Sequence, residues 1–125
     1  MGRVINVQIR FAVPPRDLDY NDKNLPWRVQ ADIAGGGYFY DLAPHQLDLL
    51  QEMFGPIIDA EGYTGNRGGL YQTEDSVSAC FRFADGLPGS GSWCFVAHDS
   101  AREDSVEIIG DKGKLHFSVF TYAPI

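Results

Sequence analysis

The sequence predicts an α+β fold: a largely antiparallel open sheet with a helix packed on one face. Three observations predict it. Residues 3–13 alternate between apolar and polar side chains, the signature of a half-buried strand. Apolar residues then recur every three or four positions through Phe39, Leu42, Ala43, Leu47, Leu50, Met53 and Phe54, which is helical spacing. Beyond Gly55-Pro56 the chain divides into short alternating runs separated by glycine-rich turns. Runs of strands joined by short turns, with the helix segregated near one end, define this class.

Taken in order, the first strand points Ile5, Val7, Ile9, Phe11 and Val13 one way and Asn6, Gln8 and Arg10 the other, and Pro14-Pro15 ends it. Arg16 to Pro26 is a polar, acidic connection without periodicity, of a length that often accompanies function or mobility. Trp27-Arg28 follows. The pair reads either as a packed anchor with a solvated neighbour or as a contact in which Arg28 reaches an anionic or hydroxyl-rich ligand. Gly35-Gly36-Gly37 opens a helix predicted over about residues 35–54. Pro44 lies inside it, removing one amide donor and freeing the carbonyl of Tyr40, so a kink or distorted first turn is expected. Gly55-Pro56 stops the helix.

Ile57 to Tyr63 forms a short strand, and Val77, Ala79, Phe81 and Phe83 line one face of the next. The stretch 84–91 reads as a turn, after which Trp93, Phe95 and Ala97 line a further strand. Val106 to Ile109 and Leu115 to Phe120 are joined by Gly110-Asp111-Lys112-Gly113. A single helix covers only part of one sheet face, so the strand Ile, Val, Phe and Trp side chains imply a partner surface. The whole of residues 1–125 is one domain. Its ending, Thr121-Tyr122-Ala123-Pro124-Ile125, reads as a chain cut in mid-course, so a fragment is expected.

Composition excludes several classes of function. With 44% hydrophobic and 22% charged residues this is a globular composition, and 17 acidic against 10 basic residues give a net charge of -7. That argues against nucleic acid or an anionic membrane as partner. No apolar run approaches the roughly 20 residues needed to cross a bilayer. The beginning of the chain lacks the apolar core and cleavage site of a secretory signal. Two cysteines, Cys80 and Cys94, are too few for a disulfide framework; their strands are expected to form a hairpin that brings them close, and they read as two buried reduced thiols, so a cytoplasmic location is the simplest inference.

Asp41, His45, Asp48 and Glu52 recur at spacings of four, three and four, which sets them above one another on a helix. Three readings compete. A solvated helix face with an i,i+4 Asp–His pair contributes about 0.2–0.5 kcal/mol to the helix. A metal site could use the same spacing but needs further ligands, and no motif ties His98 or His116 to it. In general acid/base chemistry a histidine near neutral pKa works beside a carboxylate that fixes its tautomer. The adjoining glycines, flanked by Tyr38 and Tyr40, suit close approach of a ligand or cofactor to backbone. No metal is expected.

The run Trp27-Arg28 … Gly35-Gly36-Gly37-x-x-x-Asp41-x-x-x-His45-x-x-Asp48, ending at Phe54-Gly55, resembles the C-terminal domain of the glucose–fructose oxidoreductase / inositol dehydrogenase / MocA-like (Gfo/Idh/MocA) family. Glu74-Asp75 and Glu107-Ile108-Ile109-Gly110-Asp111-Lys112-Gly113 fit the same domain. The resemblance implies a truncated dihydrodipicolinate-reductase-like C-terminal domain of an NAD(P)-dependent oxidoreductase acting on a sugar, polyol or related hydroxy or keto compound. It assigns catalytic roles to Asp41 and His45, and substrate contacts to Asp48, Arg28, Trp27, Tyr38 and Tyr40. Gly36 and Gly37 become weak cofactor contacts. NAD or NADP would be bound mainly by an N-terminal Rossmann domain of the same protein, which would also supply a lysine from a Glu-Lys-Pro segment. Homo-oligomerisation would use the open sheet. Neither Gly-x-Gly-x-x-Gly after a strand nor Glu-Lys-Pro occurs here, so this chain alone is expected to be inactive. The alternative is a non-enzymatic sheet domain that binds a small ligand or pairs subunits.

Overall fold

A computed structural model describes residues 2–21, 25–30 and 36–120. Among the described residues six strands and one α-helix follow in the order β1 (Val4–Ala12), α1 (Tyr38–Phe54), β2 (Ile57–Gly65), β3 (Ser76–Phe83), β4 (Pro88–Cys94), β5 (Glu103–Gly110) and β6 (Lys114–Phe117). Short 3-10 turns occupy Asp17–Tyr20, Trp27–Val29 and Asp99–Ala101. One sheet contains all six strands in the order β2-β3-β4-β1-β5-β6. Only β1 and β4 run parallel; every other neighbour is antiparallel. The predicted fold class therefore stands. No helix among the described residues is long and apolar enough to cross a membrane.

Alternation sorts the strand residues onto two unlike faces. Val7, Ile9, Val77, Phe83, Trp93 and Val106 are buried on the face that α1 and the long connection cover. Gln8, Arg10, Ser78, Arg82 and Ser92 point to the other face and are exposed. Most apolar strand side chains thus find their cover within the chain, because they share one face, while Ile5 and Ile58 stay exposed. β2 lies at the sheet edge, exposed along nearly its whole length, with Tyr63 87% exposed.

Several details differ from the sequence reading: α1 starts at Tyr38 rather than 35, β2 runs on to Gly65, and β4 ends at Cys94, short of Phe95 and Ala97. Val4 pairs with Gly110 and Asn6 with Ile109, so Ile5 is the extra residue of a β-bulge. It turns outward, 50% exposed, and Val4 packs inward in its place. β4 starts at Pro88 rather than near Trp93, because Gly89 and Gly91 are strand residues and not turn residues. A Cβ on Gly89 would stand 2.4 Å from the Phe81 ring, and one on Gly91 2.2 Å from the Trp93 ring. Those glycines let two large aromatic rings lie flat on the sheet. The last strand stops at Phe117, and residues 118–120 leave it. The helix runs through Pro44, which is exposed. Cys80 faces Ser90 and Cys94 faces Ser76 across the β3–β4 ladder, so the two thiols do not meet and both are free.

The helix is held to the sheet by rings and one buried hydrogen bond. Phe39 meets Trp93 edge-on at 5.0 Å, and Phe54 meets Phe83 at 5.6 Å. The indole N–H of Trp93 donates to Gln46 Oε1 at 2.6 Å, both groups being buried. Removing one partner of such a bond strands the other in a dry interior. Gln46→Leu is therefore expected to lower unfolding free energy by about 1–3 kcal/mol in urea denaturation. A double-mutant cycle with Trp93→Phe should show clear coupling; additivity would mean that the bond contributes nothing.

A second buried group gives a pH signature. Tyr71 is 6% exposed, and its hydroxyl has no hydrogen-bond partner among the described residues. Burial pushes its phenol far above the usual tyrosine range, and the nearby Asp19 and Asp75 carboxylates push the same way. The unfolded chain ionises this group above about pH 10, while the folded chain keeps it neutral. Stability is thus intact below about pH 10 and falls as pH rises beyond it. In alkaline denaturation Tyr71→Phe should remove that part of the decline and be close to neutral at pH 7; an unchanged alkaline limb would refute the assignment.

Candidate functional site

The start of α1 is where the site is built. Gly37 forms the N-cap, and its amide donates to Glu74 Oε1 at 2.9 Å. That carboxylate meets the positive end of the helix dipole. A Cβ on Gly37 would stand 2.4 Å from the Glu74 carbonyl oxygen, and one on Gly36 2.2 Å from the Tyr40 ring. What approaches these glycines is the chain's own 73–75 segment and its own tyrosine. Both glycines are thus required by the domain's own packing. Gly35 and the side chain of Arg28 lie outside the described residues.

Tyr38, the first helical residue, is 2% exposed. Its hydroxyl donates to Asp19 Oδ1 at 2.5 Å, and the Arg16 guanidinium lies 4.5 Å above its ring. Asp19 Oδ2 also accepts the Arg16 amide at 2.8 Å. Tyr38 thus anchors the polar connection to the helix, and its hydroxyl is committed to Asp19 rather than free for a ligand. Tyr40 points outward, 59% exposed. Trp27 is 48% exposed in its own 3-10 turn.

Farther along, Asp41 is half-buried while His45 and Asp48 are exposed. Among the described residues His45 makes no hydrogen bond or ion pair, so the i,i+4 Asp41–His45 pairing does not form. Its contact is a ring: Phe120 stands edge-on to the imidazole, centroids 6.0 Å apart and planes at 89°. Next to it opens a cleft of about 490 Å³. Tyr38 and Leu42 of α1, Phe11 of β1, Phe95 and Phe120 form its walls, with Arg16, Asp17, Asp19 and Arg102 among the polar groups. Since residues 38, 41, 42 and 45 share one helix face, the acid/base candidates border this concavity.

Chemically, an exposed imidazole beside a half-open cleft with aromatic walls can accept or donate a proton at a bound hydroxyl. Among the described residues no three His, Cys, Asp or Glu side chains converge as a metal site would require. The sequence reading flagged the 16–26 connection by its length and polarity, and that signal led to Arg16 and Asp19. It missed Phe120, whose proximity to His45 is created by tertiary packing and leaves no mark in local sequence.

The model for the GFO/IDH/MocA C-terminal domain matches residues 1–116. Oxidoreductase P35 of Formosa agariphila is 31% identical over 121 residues, covering 97% of this chain and 36% of the relative. Levoglucosan dehydrogenase of Pseudarthrobacter phenanthrenivorans is 30% identical over 122 residues, covering 78% of this chain and 31% of that protein. Among solved structures, levoglucosan dehydrogenase in complex with NADH and levoglucosan superposes with a TM-score of 0.77 at 26% identity, over 94% of this chain and 33% of the other. The WlbA dehydrogenase of Bordetella pertussis, in complex with NADH and UDP-GlcNAcA, gives 0.75 at 29% identity, over 92% and 35%. The chain spans about a third of the length of these proteins. With this sheet, this helix and this match along nearly its whole length, the chain belongs to the Gfo/Idh/MocA oxidoreductase family, in which it corresponds to the C-terminal domain.

Proposed function

We propose that this chain is the substrate-binding and oligomerisation domain of an NAD(P)-dependent oxidoreductase acting on a sugar, polyol or related hydroxy or keto compound. The observation that carries the reading is His45, exposed on α1 against Phe120 of the aromatic-walled cleft, with Asp41 one turn before it. Two relatives whose names give their chemistry, levoglucosan dehydrogenase and 1-carboxy-3-chloro-3,4-dihydroxycyclohexa-1,5-diene dehydrogenase, support dehydrogenation of a ring hydroxyl. The solved complexes of neighbours with NADH support a nicotinamide as hydride acceptor or donor.

In this reading the cofactor is held by a Rossmann domain outside these residues, which also contributes a lysine; when bound it supplies hydride transfer. This chain's own groups do the rest. His45 exchanges a proton with the reacting hydroxyl, and among the described residues no carboxylate hydrogen-bonds to its ring. Asp41, half-buried, orients the substrate. Asp48, Tyr40 and Trp27 are exposed and able to contact its outer hydroxyls, with Arg28 beside Trp27 in the same turn. Phe11, Phe95 and Phe120 exclude water from one side. Oligomerisation uses the uncovered sheet face, whose short Ser78 and Ser92 side chains permit close approach of a second sheet, and the unpaired edge strand β2.

In the polypeptide that joins this chain to its Rossmann domain, His45→Ala should lower kcat by about 10²–10⁴-fold, the range for a general acid/base. Near-normal kcat there would sink the catalytic role. The 125-residue chain by itself should give no turnover with a polyol panel and NAD or NADP. For the assembly surface, sedimentation of this chain should show self-association that Ser92→Arg abolishes; a monomer at high concentration, or an unaffected oligomer in the variant, counts against this face.

A further inference from the structure

His45 raises a physical question that the proposed function leaves open. An exposed imidazole on a helix has two accessible χ1 rotamers, since the third collides with the preceding turn. Proton transfer to a bound hydroxyl requires one of them. A partner carboxylate usually makes that selection, and here none does among the described residues.

The Phe120 ring is in position to do so, and its own placement is determined twice over. Phe120 follows the end of β6 in a segment with no ladder of its own. The Asp104 carboxylate on β5 captures that segment: Oδ1 accepts from the Val119 amide at 3.2 Å and Oδ2 from the Phe120 amide at 2.8 Å. Bonds from two successive amides to one carboxylate are charge-assisted and fix both backbone position and direction. On the side chain, the ring packs edge-to-face on Phe11 at 5.3 Å and 67°. Phe11 is in turn the ladder partner of Asp104. Backbone clamp, ring contact and strand pairing thus close a loop of three residues, Phe11, Asp104 and Phe120. The remaining side of the Phe120 ring presents its quadrupole to the His45 imidazole at 89°, the geometry that aromatic pairs favour.

We infer that Phe120 is a positioning residue for His45, held in place by the Asp104 carboxylate, and that this pair sets the imidazole rotamer the proposed reaction uses. The inference rests on the proton-transfer role proposed for His45. It makes Phe120 a member of the site that touches the imidazole and acts through it.

The test has two arms, so that failure of the inference and failure of the proposed function can be told apart. In the 125-residue chain, NMR of the imidazole protons and χ1-dependent couplings should show His45 in one dominant rotamer, with shifts displaced by the Phe120 ring current. Phe120→Leu, which keeps volume and removes the ring, should abolish that displacement and average the couplings, while His98 and His116 signals stay in place as internal controls. Asp104→Asn should act in the same direction and less strongly, and Phe120→Tyr should preserve the wild-type pattern. In the polypeptide joined to its Rossmann domain, Phe120→Leu should lower kcat about tenfold with KM nearly unchanged, as expected for a misplaced catalytic group. Unmoved His45 signals in Phe120→Leu overturn the inference. So does a moved His45 with unchanged kcat in a background where His45→Ala is inactive. Normal kcat in His45→Ala would instead remove the proposed function, and the NMR arm alone would then decide whether Phe120 orients the ring.

Discussion

The approach of Glu74 to Gly37 is the constraint on which the site depends. It needs a residue without a Cβ, because the Glu74 carbonyl occupies the space a Cβ would take. It also needs an acceptor for the cap amide, which the Glu74 side chain supplies. Segment 73–75 leads directly into β3, so this one contact ties the helix start to the sheet. From there the register of α1 follows: Tyr38 drops onto Asp19, Phe39 and Gln46 onto Trp93, and His45 comes to lie against Phe120 of the cleft wall. Gly36 and Gly37 thereby serve as a joint of the domain's own frame.

Around that joint the polar groups divide by task. Asp19 and Glu74 take backbone or phenolic donors, and Asp75, fully buried, accepts the amides of Arg67 and Gly68. These carboxylates serve structure, each satisfied by donors the fold supplies, as buried charge requires. Asp48 and His45 remain at the surface. A net charge of -7 therefore does not imply an acidic site, since part of it is spent inside the frame.

Much of the architecture was legible because strand alternation and helical spacing act locally. Residues 3–13 and 39–54 announce their elements through burial of one face. What stayed hidden was set by contacts between distant residues. Gly89 and Gly91 look like a turn until Phe81 and Trp93 are laid over them. The outward turn of Ile5 depends on how β1 registers with Gly110 and Ile109. For the site, residue spacing was enough to mark Asp41 and His45 as neighbours, but not to say whether they bond. Nor could spacing show Phe120 beside the imidazole, since it is 75 positions from His45 and adjacent only after β5 and β6 have formed.

The parallel pairing of β1 with β4 bears on the order in which this domain assembles. Val7 lies between Gly89 and Ile108, so the central strand has no partner until chain more than eighty residues later has been made. Such non-local closure carries a high loop entropy and slows folding. Through the intervening period β1 exposes Val7, Ile9 and Phe11, an apolar row with both edges open. Phe11 is also a wall of the cleft. Along the nascent chain α1 can form early, yet the sheet it packs on is completed only with the final hairpin. Closing the sheet and closing the cleft thereby depend on the same strand.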